Sequence, residues 1–183
     1  MREKREMNKT AVVYFSHSGM NYAKGRIVRL EKGNTKVAAE KIAGYCGAAL
    51  FELKEADAYP EDYRECVERA KREMQADARP ALKECVDVSA YDKIFLGYPN
   101  WCGTMPKIIW TFLERADFAG KKIYPFCTNE GSGAGRSGQD IKKLCPDATV
   151  SEVLPIRGSD VAASDGLLRD WVEKILTKTG YEN

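Results

Sequence analysis

Two short stretches near the start of the chain gather hydroxyl, amide and glycine residues. They are Ser16-His17-Ser18-Gly19 and Gly33-Asn34-Thr35-Lys36. Ser16, Ser18 and Thr35 offer hydroxyls, while Gly19 and Gly33 let the backbone approach a ligand closely. Asn34 and Thr35 open a helical pattern, and a helix start presents free N–H groups and a partial positive charge. Anion binding is the chemistry these types serve, with a phosphate as the natural occupant. Ordinary turn and cap formation uses the same residues. No GxxxxGK[ST] segment is present, which removes support for nucleotide hydrolysis. His17, the only histidine, is expected to contribute its peptide N–H with the imidazole turned to solvent; a protonated ring holding the anion is the alternative.

Two later loops complement this pair. Pro99-Asn100-Trp101-Cys102-Gly103-Thr104 follows an apolar run. Trp101 there can cover a planar ligand, and the peptides of Asn100, Cys102, Gly103 and Thr104 can bond its heteroatoms. An indole folded back on the core is the plainer reading. Thr128 to Gly138 is rich in small residues, which would let the backbone lie along a ligand edge and leave one ligand face uncovered. Its Gly133-x-Gly135-x-x-Gly138 spacing matches a dinucleotide fingerprint, but it follows the fourth strand candidate rather than the first and is read as coincidence. Cys102 lacks a CxxC partner and reads as a passive thiol rather than a redox-active one. Arg136 either contacts a nicotinamide-nucleotide phosphate or simply begins a helix.

The elements that must position these loops alternate along the chain. Strands are expected at Ala11–Phe15, Ala48–Leu53, Lys93–Tyr98, Lys121–Thr128 and Thr149–Ile156, with Pro125 awkward for a central strand. Helices are expected over residues 35–46, around Tyr63, Val67, Ala70 and Met74, after Pro106, after Gly138, and over Leu167–Leu176. Residues 78–90 read as an irregular connection. Such alternation implies βαβ units and a parallel α/β sheet covered on both faces, with ligands beyond the C-terminal strand ends. All three loops occupy that edge.

On these residues the chain resembles the flavodoxin-like family that binds flavin mononucleotide (FMN), including its flavodoxin-family oxidoreductases. The specific pieces are SHSG with GNTK, LGYPNWCGTMP, and PFCTNEGSGAGRS followed by DIKKLCP, and the likeness runs from about Ala11 to Leu176. The resemblance implies a three-layer sandwich with a five-stranded parallel sheet of order 2-1-3-4-5 and a noncovalent FMN. It places Ser16, His17, Ser18, Gly19, Asn34 and Thr35 at the phosphate. Pro99, Asn100, Trp101, Cys102, Gly103 and Thr104 would line the isoalloxazine, and Thr128, Glu130, Gly131 and Gly133 its far edge. The flavin carries the chemistry, so no catalytic side chain is named. Family phosphate loops run unbroken, whereas residues 20–32 intervene here, with Lys24, Arg26, Arg29 and Lys32 making the insertion basic. Its two stems are expected to form one anion cradle, because closure entropy grows slowly with loop length, and its middle to form a lid or partner-facing loop.

Composition narrows the function. The 183 residues suit one domain over residues 11–180, behind a charged tail at 1–10 that is expected to be disordered. A formal net charge of +2 argues against nucleic acid, and no apolar run reaches membrane-spanning length. Six cysteines without CxxC, beside one histidine, argue against a metal site and for reduced, mostly buried thiols in a cytoplasmic protein. The leading expectation is an FMN-dependent oxidoreductase, a monomer or homodimer, taking electrons from NAD(P)H and passing them to a quinone-like or other small acceptor. The alternatives are an electron carrier docking on redox partner proteins and a flavin-free binding module on the same fold.

Overall fold

A computed structural model describes residues 9–178. Of the tail expected at 1–10, residues 1–8 lie outside the described residues, while the Lys9 carbonyl accepts from the N–H groups of Asp92 and Lys93 and Thr10 opens the first strand. The sheet strands are β1 (Thr10–Tyr14), β4 (Ala49–Glu52), β5 (Lys93–Pro99), β6 (Lys122–Asn129), β7 (Thr149–Val150) and β8 (Leu154–Arg157). A separate hairpin comprises β2 (Gly19–Ala23) and β3 (Arg26–Leu30). The helices are α1 (Asn34–Cys46), α2 (Tyr63–Gln75), α3 (Lys107–Arg115), α4 (Ser137–Leu144) and α5 (Asp165–Lys178).

All pairings in the main sheet are parallel, in the order β4-β1-β5-β6 with β7 and β8 both on β6. Counting β7 and β8 as one interrupted strand gives the expected 2-1-3-4-5 order. Pro125 accounts for the interruption. Lys122 and Thr128 bond toward β5, whereas the Ile123 carbonyl accepts from Ser151 on the opposite side. Alternation along the strand turns Pro125 to that same side, and proline has no N–H to donate there. β7 ends opposite Ile123 and β8 begins opposite Phe126, so the fifth strand breaks where its neighbour cannot donate. Proline thus sits in a central strand at the one place where the ladder is already open.

Each sheet face buries its own apolar layer. Val12, Tyr14, Phe95 and Phe126 meet Ala38, Ile42, Leu168 and Val172 of α1 and α5. Val13, Leu96 and Ile123 meet Cys66, Ile108, Phe112 and Ile141 on the side of α2, α3 and α4. β1 and β5 are buried nearly throughout, as continuous β-rich runs in a parallel sheet should be. Cys66, Cys127 and Cys145 are buried, Cys46 is half-buried, and Cys85 and Cys102 are exposed, so fewer thiols enter the core than expected. Among the described residues no helix is long and apolar enough to cross a membrane, and no cluster of metal-ligating side chains occurs.

Candidate functional site

The loops after β1, β5 and β6 do converge at the C-terminal edge of the sheet. They line a cavity of about 370 Å³ together with α2 and the hairpin. Its polar end is built by joining the two stems on either side of the insertion. Gly33 passes so close to Ser16 and His17 that a Cβ there would overlap the Ser16 hydroxyl and the His17 carbonyl. Only glycine permits that contact. In return, Ser16 Oγ accepts the N–H of Lys36 at 3.1 Å and Val37 N–H goes to the Gly33 carbonyl, which leaves the Asn34 and Thr35 N–H groups for a ligand. Gly33 provides no side-chain cap and the first turn of α1 holds no acidic residue, so its partial positive charge is not neutralised locally. By contrast, the Asp62 carboxylate caps α2.

The third loop is tied to this end. Thr35 and Thr128, only 1% and 4% exposed, share a hydroxyl–hydroxyl bond of 2.7 Å. Asn129 Oδ1 accepts the N–H groups of Gly131 and Gly133, which folds the glycine-rich segment back on itself. Asn100 adds two struts, donating its peptide N–H to the Thr128 carbonyl and its side-chain amide to the Gly133 carbonyl. Glu130 accepts from the Ser159 N–H and hydroxyl at 2.7 and 3.0 Å and from the Lys24 N–H at 3.3 Å.

Trp101 forms the opposite wall. The indole stands edge-on to Phe15, His17 and Tyr59, with centroids 5.4, 5.8 and 5.0 Å away. The indole braces against the buried Phe15 and Tyr59, as the plainer reading expects, and also lines the cavity. Behind it, Trp101 and Thr104 exchange backbone bonds around Cys102 and Gly103, whose φ angles of 55° and 77° mark a type I′ turn. Partial desolvation raises the Cys102 thiol pKa, against the lowering fields of Lys71 and Arg136. Raised rather than depressed, it lacks the thiolate character of a reactive cysteine.

Of the sixteen predicted site residues, Ser16, His17, Asn34, Thr35, Pro99, Asn100, Trp101, Cys102, Thr128 and Glu130 are on the cavity wall. The other six are not. Ser18 is exposed outside the cavity, and Gly19 starts the hairpin against the Glu61 backbone. Gly103 completes the turn behind Trp101. Thr104 is fully buried and donates to Asp140 at 2.6 Å. Gly131 and Gly133 are occupied by Asn129. The His17 ring does not face solvent as expected: its Nε2 is 3.0 Å from the Pro60 carbonyl, to which a protonated nitrogen donates. Arg136 begins a helix, the second of its two readings: it is the N-cap of α4, its carbonyl accepts the Asp140 N–H, and its guanidinium lies 3.2 Å from the Asp140 carboxylate and reaches the Met74 sulfur.

Sequence reasoning missed two walls. Tyr63, Cys66, Val67, Ala70 and Lys71 of α2 line the cavity at i, i+3, i+4, i+7 and i+8. That stripe looks the same whether a helix faces a core or a ligand, so periodicity gave no signal. Met20, Asn21 and Tyr22 also line it, because the insertion is an antiparallel hairpin rather than a loop bulging outward. Lys24 and Gly25 form its turn, again with both φ positive. The hairpin is anchored at one end by Met20 N–H to the Glu61 carbonyl and by Arg29 to Glu61, and at its tip by Lys24 to Glu130. It thereby bridges α2 and the third loop. Asn129 was legible in the sequence as an Asx-turn former beside the glycines.

A sequence profile described as Flavodoxin matches residues 9–175. No curated protein matches the chain. Among solved structures, a protein assigned as a flavoprotein from Bacteroides uniformis ATCC 8492 is 27% identical, with 91% of this chain and 98% of that one covered at a TM-score of 0.72. Another so assigned, from Bacteroides eggerthii DSM 20697, is 30% identical, with 87% and 97% covered at 0.67. The fold is also shared with a flavoprotein from Lactobacillus acidophilus NCFM solved in complex with FMN, at 21% identity, 85% and 97% coverage and a TM-score of 0.61. With the profile spanning nearly all of the described residues, this chain belongs to the flavodoxin family.

Proposed function

We propose that the cavity binds one noncovalent FMN and that the protein is an FMN-dependent oxidoreductase, taking electrons from NAD(P)H and passing them to a quinone-like or other small acceptor. The observation that carries this reading is the pairing, in one cavity, of an anion cradle at the start of α1 with an aromatic and apolar wall at Trp101 and α2. Family membership and the FMN complex of the Lactobacillus acidophilus protein point the same way.

The residues fit the group. Ser16, Asn34 and Thr35 would hold the phosphate, the last two through N–H groups that the helix does not use. Their neighbour Glu130 is suited to accept from sugar-chain hydroxyls, and Thr128 and Asn129 line the same stretch. Pro99, Asn100, Trp101 and Cys102 would line the ring on one side, with Tyr63 and Val67 of α2 on the wall nearby. FMN supplies hydride and electron transfer; the chain binds it, orients it and excludes water from its surroundings. Because the third loop holds no aromatic side chain, one approach to the ring is left to α2 and the hairpin, where a second small molecule can enter.

Near-neutral charge favours small-molecule turnover over docking on a protein partner by a strongly acidic surface. The test is oxidation of NADH and NADPH by the FMN-loaded protein with a panel of quinones. Turnover dependent on both flavin and acceptor is expected. Flavin binding without nicotinamide oxidation for any acceptor would overturn the enzymatic half of the proposal.

A further inference from the structure

The cavity has a charged feature that the flavin reading does not use. Lys71 lies on its wall, is exposed, and its ammonium makes no hydrogen bond or ion pair with any described residue. Its neighbour Arg69 is consumed by Glu73 and by the carbonyls of Asp57 and Ala58. The carboxylate on the cavity wall, Glu130, is bound to Ser159 and Lys24. The field of Lys71 reaches Cys102, on the loop that carries Trp101, whereas Arg136 nearby is paired with Asp140. Tyr22, Tyr63, Val67 and Trp101 supply flat and apolar surface beside Lys71. Met20, Tyr22 and Tyr63 also line a second groove between the hairpin and the start of α2, together with Ile27, Asp62 and Arg64.

We propose that this end of the cavity is the acceptor subsite, and that it selects planar aromatic molecules carrying an anionic group, which Lys71 recognises while the ring packs between α2 and the hairpin. The assignment rests on the flavin reading only in making the ligand the flavin's redox partner. An ammonium in a concave, apolar-walled site keeps more of its attraction for an anion than one on an open surface.

Binding, rather than turnover, tests this. Naphthalene-2-sulfonate and naphthalene-2-methanol share a ring and differ in charge. Isothermal titration into FMN-loaded protein should show the sulfonate binding roughly three- to tenfold more tightly at low salt, with the gap narrowing at 0.5 M salt. Lys71→Gln should abolish the preference and Lys71→Arg should retain most of it, each measured at saturating FMN so that any change in cofactor affinity is kept apart from the preference. Equal affinity for the two compounds, or a preference surviving in Lys71→Gln, would overturn the assignment. The same titration on cofactor-free protein separates the two claims. A protein that takes up no FMN yet prefers the sulfonate through Lys71 overturns the flavin reading alone. A yellow protein with no preference overturns the Lys71 subsite alone.

Discussion

Replacing Thr35 by valine should leave the Thr128 hydroxyl buried beside a methyl group. Both residues are almost fully buried and their oxygens are 2.7 Å apart, so water has no ready access to the stranded partner. An unsatisfied buried hydroxyl costs about 1–3 kcal/mol, whereas replacing both partners by apolar groups of the same shape is close to neutral. Thr35→Val and Thr128→Val should therefore each destabilise by about 2 kcal/mol, which for a chain of this size lowers Tm by about 4–8 °C. The double variant should cost no more than about 1 kcal/mol, leaving a coupling energy of about 3 kcal/mol. Urea unfolding of the four cofactor-free proteins measures it directly. Additive single effects, within about 0.5 kcal/mol, would refute the claim that this pair ties the start of α1 to the third loop.

Three further outcomes follow from the geometry. Cys102 occupies a left-handed position with φ 55°, so Cys102→Gly should raise stability by about 0.5–1 kcal/mol after allowing for glycine's freer unfolded chain, while Cys102→Val should lower it; thermal melts decide. Burial pushes the Cys66 and Cys127 thiols up to about 12 and Cys145 up to about 11, and Cys46 is raised as well. A thiol reagent at pH 8 should thus reach the exposed Cys85 and Cys102 in the folded protein, Cys102 slowly because its pKa is raised, and the buried Cys66, Cys127 and Cys145 only after unfolding. Hydrogen bonds from Arg79 and then Lys107 hold the Asp77 carboxyl down at about 2, below its unfolded value. A depressed carboxylate stabilises the fold above its unfolded pKa near 4 and loses that contribution as pH falls toward 2. Asp77→Asn should accordingly be less stable than the parent at pH 6, with the difference shrinking between about pH 4 and pH 2.

The sheet order and the loop edge were readable because they depend on signals local in sequence. Short continuous apolar runs such as Ala11–Phe15 and KIFLGY, bounded by turn residues, read as strands buried on both faces, and the helical stripes between them fix the crossovers. The joining of SHSG to GNTK was also readable, since strand one and helix one must meet at the same edge. What escaped was decided by tertiary context. The stripe on α2 does not say whether Tyr63 and Val67 face a core or a cavity. Residues 19–30 form a hairpin whose Lys-Gly turn is a weaker signal than Asn-Gly. Thr104 looked like a ligand donor but was claimed by Asp140, a partner 36 residues away. The split of the fifth strand could have been foreseen from Pro125, since a proline in a central strand demands a gap on one side.

The cradle at the start of α1 and the Trp101 wall should together hold one flavin. The measurement is a titration of the cofactor-free protein with FMN, followed by fluorescence and then by desalting. One FMN per chain should bind with quenching of flavin emission and remain after desalting as a yellow protein. Affinity should fall about tenfold or more in Gly33→Ala, where the added methyl pushes Ser16 and His17 away from the start of α1. A colourless, folded protein that leaves FMN fluorescence unchanged would contradict it.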